Sequence, residues 1–273
     1  MCPAYDDLSP QATVVLDIPD AGITPAQLTA ALRTILAKAG GSRGWEIIVR
    51  SSRTLVQESA VRERLELLAA LHPGLRLTLD QGTEKTRFHQ EAGLPGYLQA
   101  HLGGAKGRLP TVARFTGEAP CEQGGTLRAE VALQWLVEGE GKVLSVVNDA
   151  PTPGHGTPLQ GLAAGLSRAL EEEGLDQDLL HYGMPALTRK RVLSGVAAVI
   201  RLEHPSPLYS SPSRSALSSR DALELFEQLT YRKVRALCKE TPGLIEALLT
   251  RALGVPVGKP GEWRTRQRLE QVA

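Results

Sequence analysis

The segment Pro153-Gly154-His155-Gly156-Thr157 sets an imidazole two residues from a hydroxyl, the pairing by which a base activates a nucleophile. A helical pattern follows at once, so Thr157 reads better as the cap of that helix and Gly156 as a point of tight approach. Asp176-Gln177-Asp178 has the carboxylate spacing of a magnesium pair, yet it closes the acidic run from Glu171 and reads as a solvated helix end. His72, His89, His101, His181 and His204 are scattered without an i, i+4 partner, and Cys2, Cys121 and Cys238 lie far apart, so no metal site is expected. Three basic clusters remain. Arg189-Lys190-Arg191 is one, Arg232-Lys233 with Arg235 is another, and Lys259, Arg264, Arg266 and Arg268 form a third in the C-terminal tail. Clustered arginines grip phosphates, which makes these the DNA-binding candidates against the alternative of a plain solvated face.

With 31 Lys+Arg against 30 Asp+Glu in 273 residues, the net charge is +1 and does not by itself advertise nucleic acid. The length suits one large domain or two small ones. No stretch approaches the ~18 consecutive apolar residues of a membrane span, and the N-terminus lacks a basic segment followed by an apolar one. The odd, dispersed cysteines fit a reducing compartment, so a cytoplasmic protein without membrane association is expected.

The candidates need elements to hold them. Strands are expected at 13–18, 46–50, 75–79 and 196–202, and helices at 25–38, around Leu65, Leu68 and Leu71, at 159–173, 221–239 and 243–253. Leu127–Val137 and Lys142–Asn148 flank the turn Glu138-Gly-Glu-Gly141 and are expected to pair antiparallel as a hairpin. Leu133 and Trp135 are expected to fall on opposite faces of one strand, so that one of the two is the more exposed. The irregular mixture of strands and helices points to α+β.

Residues 128–135 (R-A-E-V-A-L-Q-W), 143–148 (V-L-S-V-V-N) and then Thr152-Pro, Gly156-Thr157, Leu159 and Gly161 resemble, without a gap, the transducer domain of the DNA gyrase B protein and its topoisomerase IV counterpart, type IIA DNA topoisomerases. That family runs E-V-A-L-Q-W, S-F-V-N-N, T-P-E-G-G-T-H-L-x-G-F. Leu68-Ala-Ala-Leu-His-Pro-Gly-Leu, Phe88-His-Gln-Glu-Ala-Gly-Leu and Glu203-His-Pro-Ser-Pro-Leu-Tyr extend the resemblance in the right order, over roughly residues 46–250. It implies an α+β, ribosomal-protein-like two-layer domain with a left-handed βαβ crossover. Domains are expected at 1–55 (a shortened remnant of a GHKL-type ATPase domain), 56–255 (transducer) and 256–273 (basic tail).

The family binds ATP and magnesium, and the resemblance implies that this chain has lost both. Asp20-Ala-Gly-Ile-Thr-Pro and Leu32-Arg-Thr-Ile-Leu-Ala-Lys-Ala-Gly-Gly-Ser only echo the family's magnesium and adenine loop and its L-x-x-L-H-A-G-G-K, and no G-x-x-G-x-G phosphate lid occurs between Gly44 and Glu46. The metal-binding cleavage domain is expected to be missing as well. In the family a Q-T-K triplet follows the H-P-D-P loop and reaches the γ-phosphate. Counting from His204 puts Pro212, Ser213 and Arg214 there, so Ser213 and Arg214 are the residual nucleotide-sensing candidates and no catalytic residue is assigned. Proline offers no side-chain donor, and arginine's planar fork is not lysine's point charge. The resemblance therefore implies a module that binds DNA without sequence preference, or gyrase or topoisomerase subunits, and is inactive as an ATPase alone. The alternative is a fragment of an ATP-hydrolysing topoisomerase completed by a separate chain.

Overall fold

The computed structural model describes residues 12–18, 23–39, 45–51, 57–181 and 183–257. The chain divides into two units, 1–101 and 102–273, and is a mixed α/β protein. In the first unit, β1 (Ala12–Ile18), β2 (Trp45–Ser51) and β3 (Arg76–Asp80) run parallel, and β4 (Lys85–Phe88) closes the sheet antiparallel to β3. Helix α1 (Pro25–Ala39) begins on a reciprocal cap. The Gln27 amide donates to Thr24 Oγ1 at 3.3 Å while Gln27 Oε1 accepts from the Thr24 amide at 2.9 Å. Its Leu28, Leu32 and Leu36 are buried, as are Leu65, Leu68 and Leu71 of α2 (Glu58–Leu71), at the spacing of one helical face. Helix α3 (Gly93–His101) completes this unit.

The second unit is built on a five-stranded sheet, ordered β5 (Ala113–Pro120), β6 (Thr126–Trp135), β10 (Val196–Glu203), β7 (Val143–Val147), β8 (Ala150–Pro151). The expected hairpin between the 127–137 and 142–148 strands is not formed. Strand β10 lies between them, antiparallel to β6 and parallel to β7. The Val137–Lys142 connection is wide enough to admit that third strand, and Gly141 lets the chain pass it, since a Cβ there would sit 2.0 Å from the Val196 carbonyl oxygen. Joined through α4 (Thr157–Asp176), β7 and β10 form a βαβ unit.

Leu133 and Trp135 are both buried, at 0% and 1% exposure, against the expectation that one would be exposed. Residues two apart in a strand share a face, and this face is the core. On the opposite face Ala132 and Gln134 are buried too, and Gln134 is satisfied there, accepting from the Leu109 amide and donating to the Leu109 carbonyl, both at 3.0 Å. Helices α4 and α6 (Arg220–Glu240) pack closely along Gly161 and Gly165, where a Cβ would lie 2.3 and 2.5 Å from the carbonyl oxygens of Leu223 and Glu227. Helix α7 (Leu244–Leu253) adds Ile245, Leu248 and Leu249 to the core. No described helix is long and apolar enough to cross a membrane.

Candidate functional site

The glycine turn before α4 and the loop carrying Ser213 and Arg214 are tied together. β9 (His155–Gly156) pairs in parallel with β11 (Ala216–Leu217), and the Gly154 amide donates to the Ser215 carbonyl at 2.7 Å. Gly156, at φ 83, is pressed on this partner so closely that a Cβ would meet the Leu217 carbonyl oxygen at 2.0 Å, which accounts for glycine there. Thr157 does not cap α4. Gly156 is the cap residue, Thr157 is the first helical residue, and its buried Oγ1 makes no hydrogen bond among the described residues. Pro158 follows inside the first turn, so the helix starts one residue earlier than a Thr157 cap requires.

The loop's tip is built from hydroxyls. Ser211, Ser213 and Ser215 bond one another through their Oγ atoms at 2.8 and 3.3 Å, and the Arg214 amide donates to the Ser211 carbonyl at 3.0 Å. Arg214 adopts φ 55, is exposed, and holds its guanidinium 5.9 Å from the Tyr209 ring centroid. The loop's base is closed where His204 Nε2 meets Asp221 Oδ1 at 3.3 Å.

His155 has a partner that the sequence did not reveal: Ser145 Oγ lies 2.9 Å from its Nδ1. Burial, and then the charge of Arg189, lowers the His155 pKa and keeps the ring neutral. Ser145 is itself buried at 1% exposure, so this pair ties β7 to the glycine turn and offers no nucleophile to a substrate. Asp176 at the end of α4 bonds Arg235 Nη2 at 2.8 Å.

The basic clusters are partly consumed by the fold. Arg191, in α5 (Arg189–Val192), donates to the Leu253 carbonyl at 2.8 Å and closes the C-terminus of α7, where a cation also suits the helix dipole. Arg189 and Lys190 are exposed. Arg235 is bonded to Glu172, Glu173 and Asp176, which leaves Arg232 and Lys233 exposed on α6. Arg264, Arg266 and Arg268 lie outside the described residues. On the sheet face away from the helices, a cleft lined by Thr116, Glu118, Arg128, Glu130, Arg201 and Glu203 is already internally paired, with Arg128 3.1 Å from Glu118 and Arg201 2.9 Å from Glu203. It presents no surplus positive charge to a phosphate.

A model of the family described as DNA gyrase B matches residues 93–255, more than half of the chain and all of the second unit's sheet. The chain belongs to the DNA gyrase B family. Among its relatives, the DNA gyrase B protein of Chlamydia muridarum is 22% identical over 82% of this chain, and that of Streptococcus pyogenes serotype M3 is 25% identical over 71%. The chain covers 29% and 30% of those two proteins, so it spans about a third of the length of the curated relatives it matches. Among solved structures, the 43K ATPase domain of Thermus thermophilus gyrase B, crystallised with an aminocoumarin, superposes with a TM-score of 0.63 at 22% identity, covering 81% of this chain and 57% of that one. The gyrase B protein of Myxococcus xanthus gives 0.60 at 23% identity, covering 72% and 61%. These likenesses establish the fold of this gyrase B family member.

Proposed function

We propose that this member of the gyrase B family is a nucleotide-insensitive binding module that holds duplex DNA through charge, or docks on gyrase or topoisomerase subunits, and does not hydrolyse ATP by itself. The observation that carries the reading is Pro212-Ser213-Arg214 at the tip of the serine-bonded loop. Proline there has no donor for a phosphate, and Ser213 is engaged with its neighbours. In this reading residues 56–255 correspond to the family's transducer domain, with β7–α4–β10 as the site of its left-handed crossover, an exception to the right-handed rule for parallel βαβ units. The segment 1–55 corresponds to the ATPase remnant and 256–273 to a basic tail. The DNA contacts fall to Arg189, Lys190, Arg232 and Lys233, with Arg264, Arg266 and Arg268 of the tail, while Arg191 is held by α7.

Fluorescence anisotropy with duplex DNA between about 50 and 200 mM salt tests this. Binding should be indifferent to sequence and should fall with a slope of about −0.9 in log K per phosphate contact. Arg189→Gln with Lys190→Gln should reduce that slope by about one unit per contact removed. No binding at the low-salt end would remove DNA and leave the protein-partner arm, scored by capture of gyrase subunits. A second reading is a topoisomerase fragment completed by a separate chain. ATP turnover appearing only on mixing with such a chain would favour it.

A further inference from the structure

Strand β5 ends its sheet on one side, and among the described residues no strand pairs with its outer edge. The sheet's other edge is β8, two residues long, so β5 with its eight is the edge that leaves a row of backbone N–H and C=O groups open to another chain. Such edges are ordinarily guarded by lysines, bulges or prolines, and β5 has only Pro120, at its last position. Its side chains are complementary to their own reversed order. Antiparallel pairing of β5 with itself about Thr116 sets Arg114 against Glu118, Phe115 against Gly117 and Ala113 against Ala119, each pair formed twice. We propose that β5 is the docking edge for a second copy of this chain, which continues the sheet antiparallel across a two-fold axis at Thr116.

Symmetry and pleat both allow this register. A two-fold contact needs residue i to meet j while j meets i, which antiparallel strands supply. Opposed residues of an antiparallel pair turn their backbone groups to the same side, so in two copies of one strand they must lie an even number of positions apart, as 114 and 118 do. On the outer face the Arg114 and Glu118 side chains are 57% and 63% exposed. Among the described residues Arg114 spends only Nε, on Glu130 at 2.7 Å, and Glu118 only Oε1, on Arg128 at 3.1 Å. Both terminal guanidinium nitrogens and one carboxylate oxygen are left for the second copy. Signs then alternate across the seam, from Glu203 through Arg128 and Glu118 to the second copy's Arg114. On the inner face Phe115, at 2% exposure, is set against a residue without a side chain. The first unit's edge strand β1 has no such match, since Asp17 is its single charge.

The helix layer repeats the match. Helix α6 packs over β5, where Leu229 and Leu225 reach within 3.2 and 3.7 Å of the place a Gly117 Cβ would take. Leu223, Phe226, Glu227 and Thr230 meet α4 at Gly161 and Gly165, and α4 lies on the β10 side. The opposite flank of α6 therefore overhangs the open edge. That flank carries Glu224, Gln228 and Arg232 at i, i+4 spacing, all exposed. A two-fold axis at Thr116 passes beside Gln228, one residue from Leu229, and sets Glu224 opposite Arg232 of the second copy. Strand and helix thus call for one and the same axis.

Sedimentation equilibrium of the full chain tests this, run without DNA because a duplex held by Arg232 would compete. The mass should rise with concentration to twice the 29.3 kDa of one chain. Arg114→Glu and Glu118→Arg should each sediment as monomers, because each sets like charges against one another across the seam. Mixed in equal amounts, the two variants should form the dimer again, since every opposed pair then joins an acid to a base. Should either variant fail to fold, cross-linking gives the answer in a Cys2→Ser background. Thr116→Cys, on the axis, should oxidise to a disulfide-linked dimer, whereas Arg114→Cys should not, its two copies standing roughly 13 Å apart along the strands. A chain that stays monomeric up to its solubility limit overturns the proposal and leaves the edge to a strand of another protein. A dimer that survives both charge reversals overturns it too, as does cross-linking at position 114 and not at 116.

Discussion

The two units close the second face of their sheets in different ways. In the first, a row of directly opposed residues, Asp17, Arg50, Asp80 and Lys85, runs across all four strands, with Arg50 3.7 Å from Asp17 and 3.9 Å from Asp80, and Lys85 3.2 Å from Asp80. The Arg50 and Asp17 side chains are 52% and 71% exposed, so water screens this row heavily. The second unit carries a similar row, Glu118, Arg128 and Glu203, but only along part of its face. Elsewhere on that face Gln134 is buried and bonded both ways to the Leu109 backbone, and Ala132 and Val199 are buried as well. Charge alternation makes an exposed face soluble, whereas a buried glutamine satisfied on both sides lets the core extend through the sheet.

The largest effect is expected on the other, helix-packed face of the second unit's sheet, at Leu133. Leu133→Ala should cost about 2 to 5 kcal/mol in urea unfolding, the loss of transfer energy plus a cavity. A cost within ~0.5 kcal/mol, the surface range, would mean that the second unit's strand is not core.

Gly161→Ala sharpens the comparison by its sign. Helix propensity alone favours alanine by about 1 kcal/mol. The 2.3 Å approach to the Leu223 carbonyl predicts the opposite, a loss of about 1 to 3 kcal/mol from overpacking α4 against α6. A gain in stability would show that the two helices stand farther apart than described.

The smallest effect belongs to the first unit's charge row. Arg50→Ala should change stability by no more than about 0.5 kcal/mol, and less at high salt. A change of about 2 kcal/mol or more would mean that this row is not the water-screened surface described.

Helices were legible where period and punctuation agreed. The Thr24-Pro25 start of α1 and the leucine stripes of α4 proved sound because each is a local signal. Sheet order was not legible. The 127–137 and 142–148 strands look like a hairpin in one dimension, and the insertion of β10 between them is a non-local fact that spacing does not carry. Strands β8, β9 and β11 are two residues each and too short to show alternation. At the site, Arg214 was reached through a family resemblance, whereas Ser145 was hidden as one polar residue in an apolar strand. The meeting of His204 with Asp221 was invisible because tertiary contact, not spacing, creates it. Arg191 looked like part of a free basic cluster and is bonded to the end of α7, an engagement that charge counting cannot detect.

The proposal that the Pro212-Ser213-Arg214 loop does not read nucleotide is tested most directly by a thermal melt of the full chain with and without millimolar ATP and magnesium. Superimposable transitions are expected. A ligand at ~100 times its dissociation constant would add about 2.7 kcal/mol of stability and raise the midpoint by several degrees. A rise of that size, abolished by Arg214→Ala, would show that the loop reads nucleotide after all.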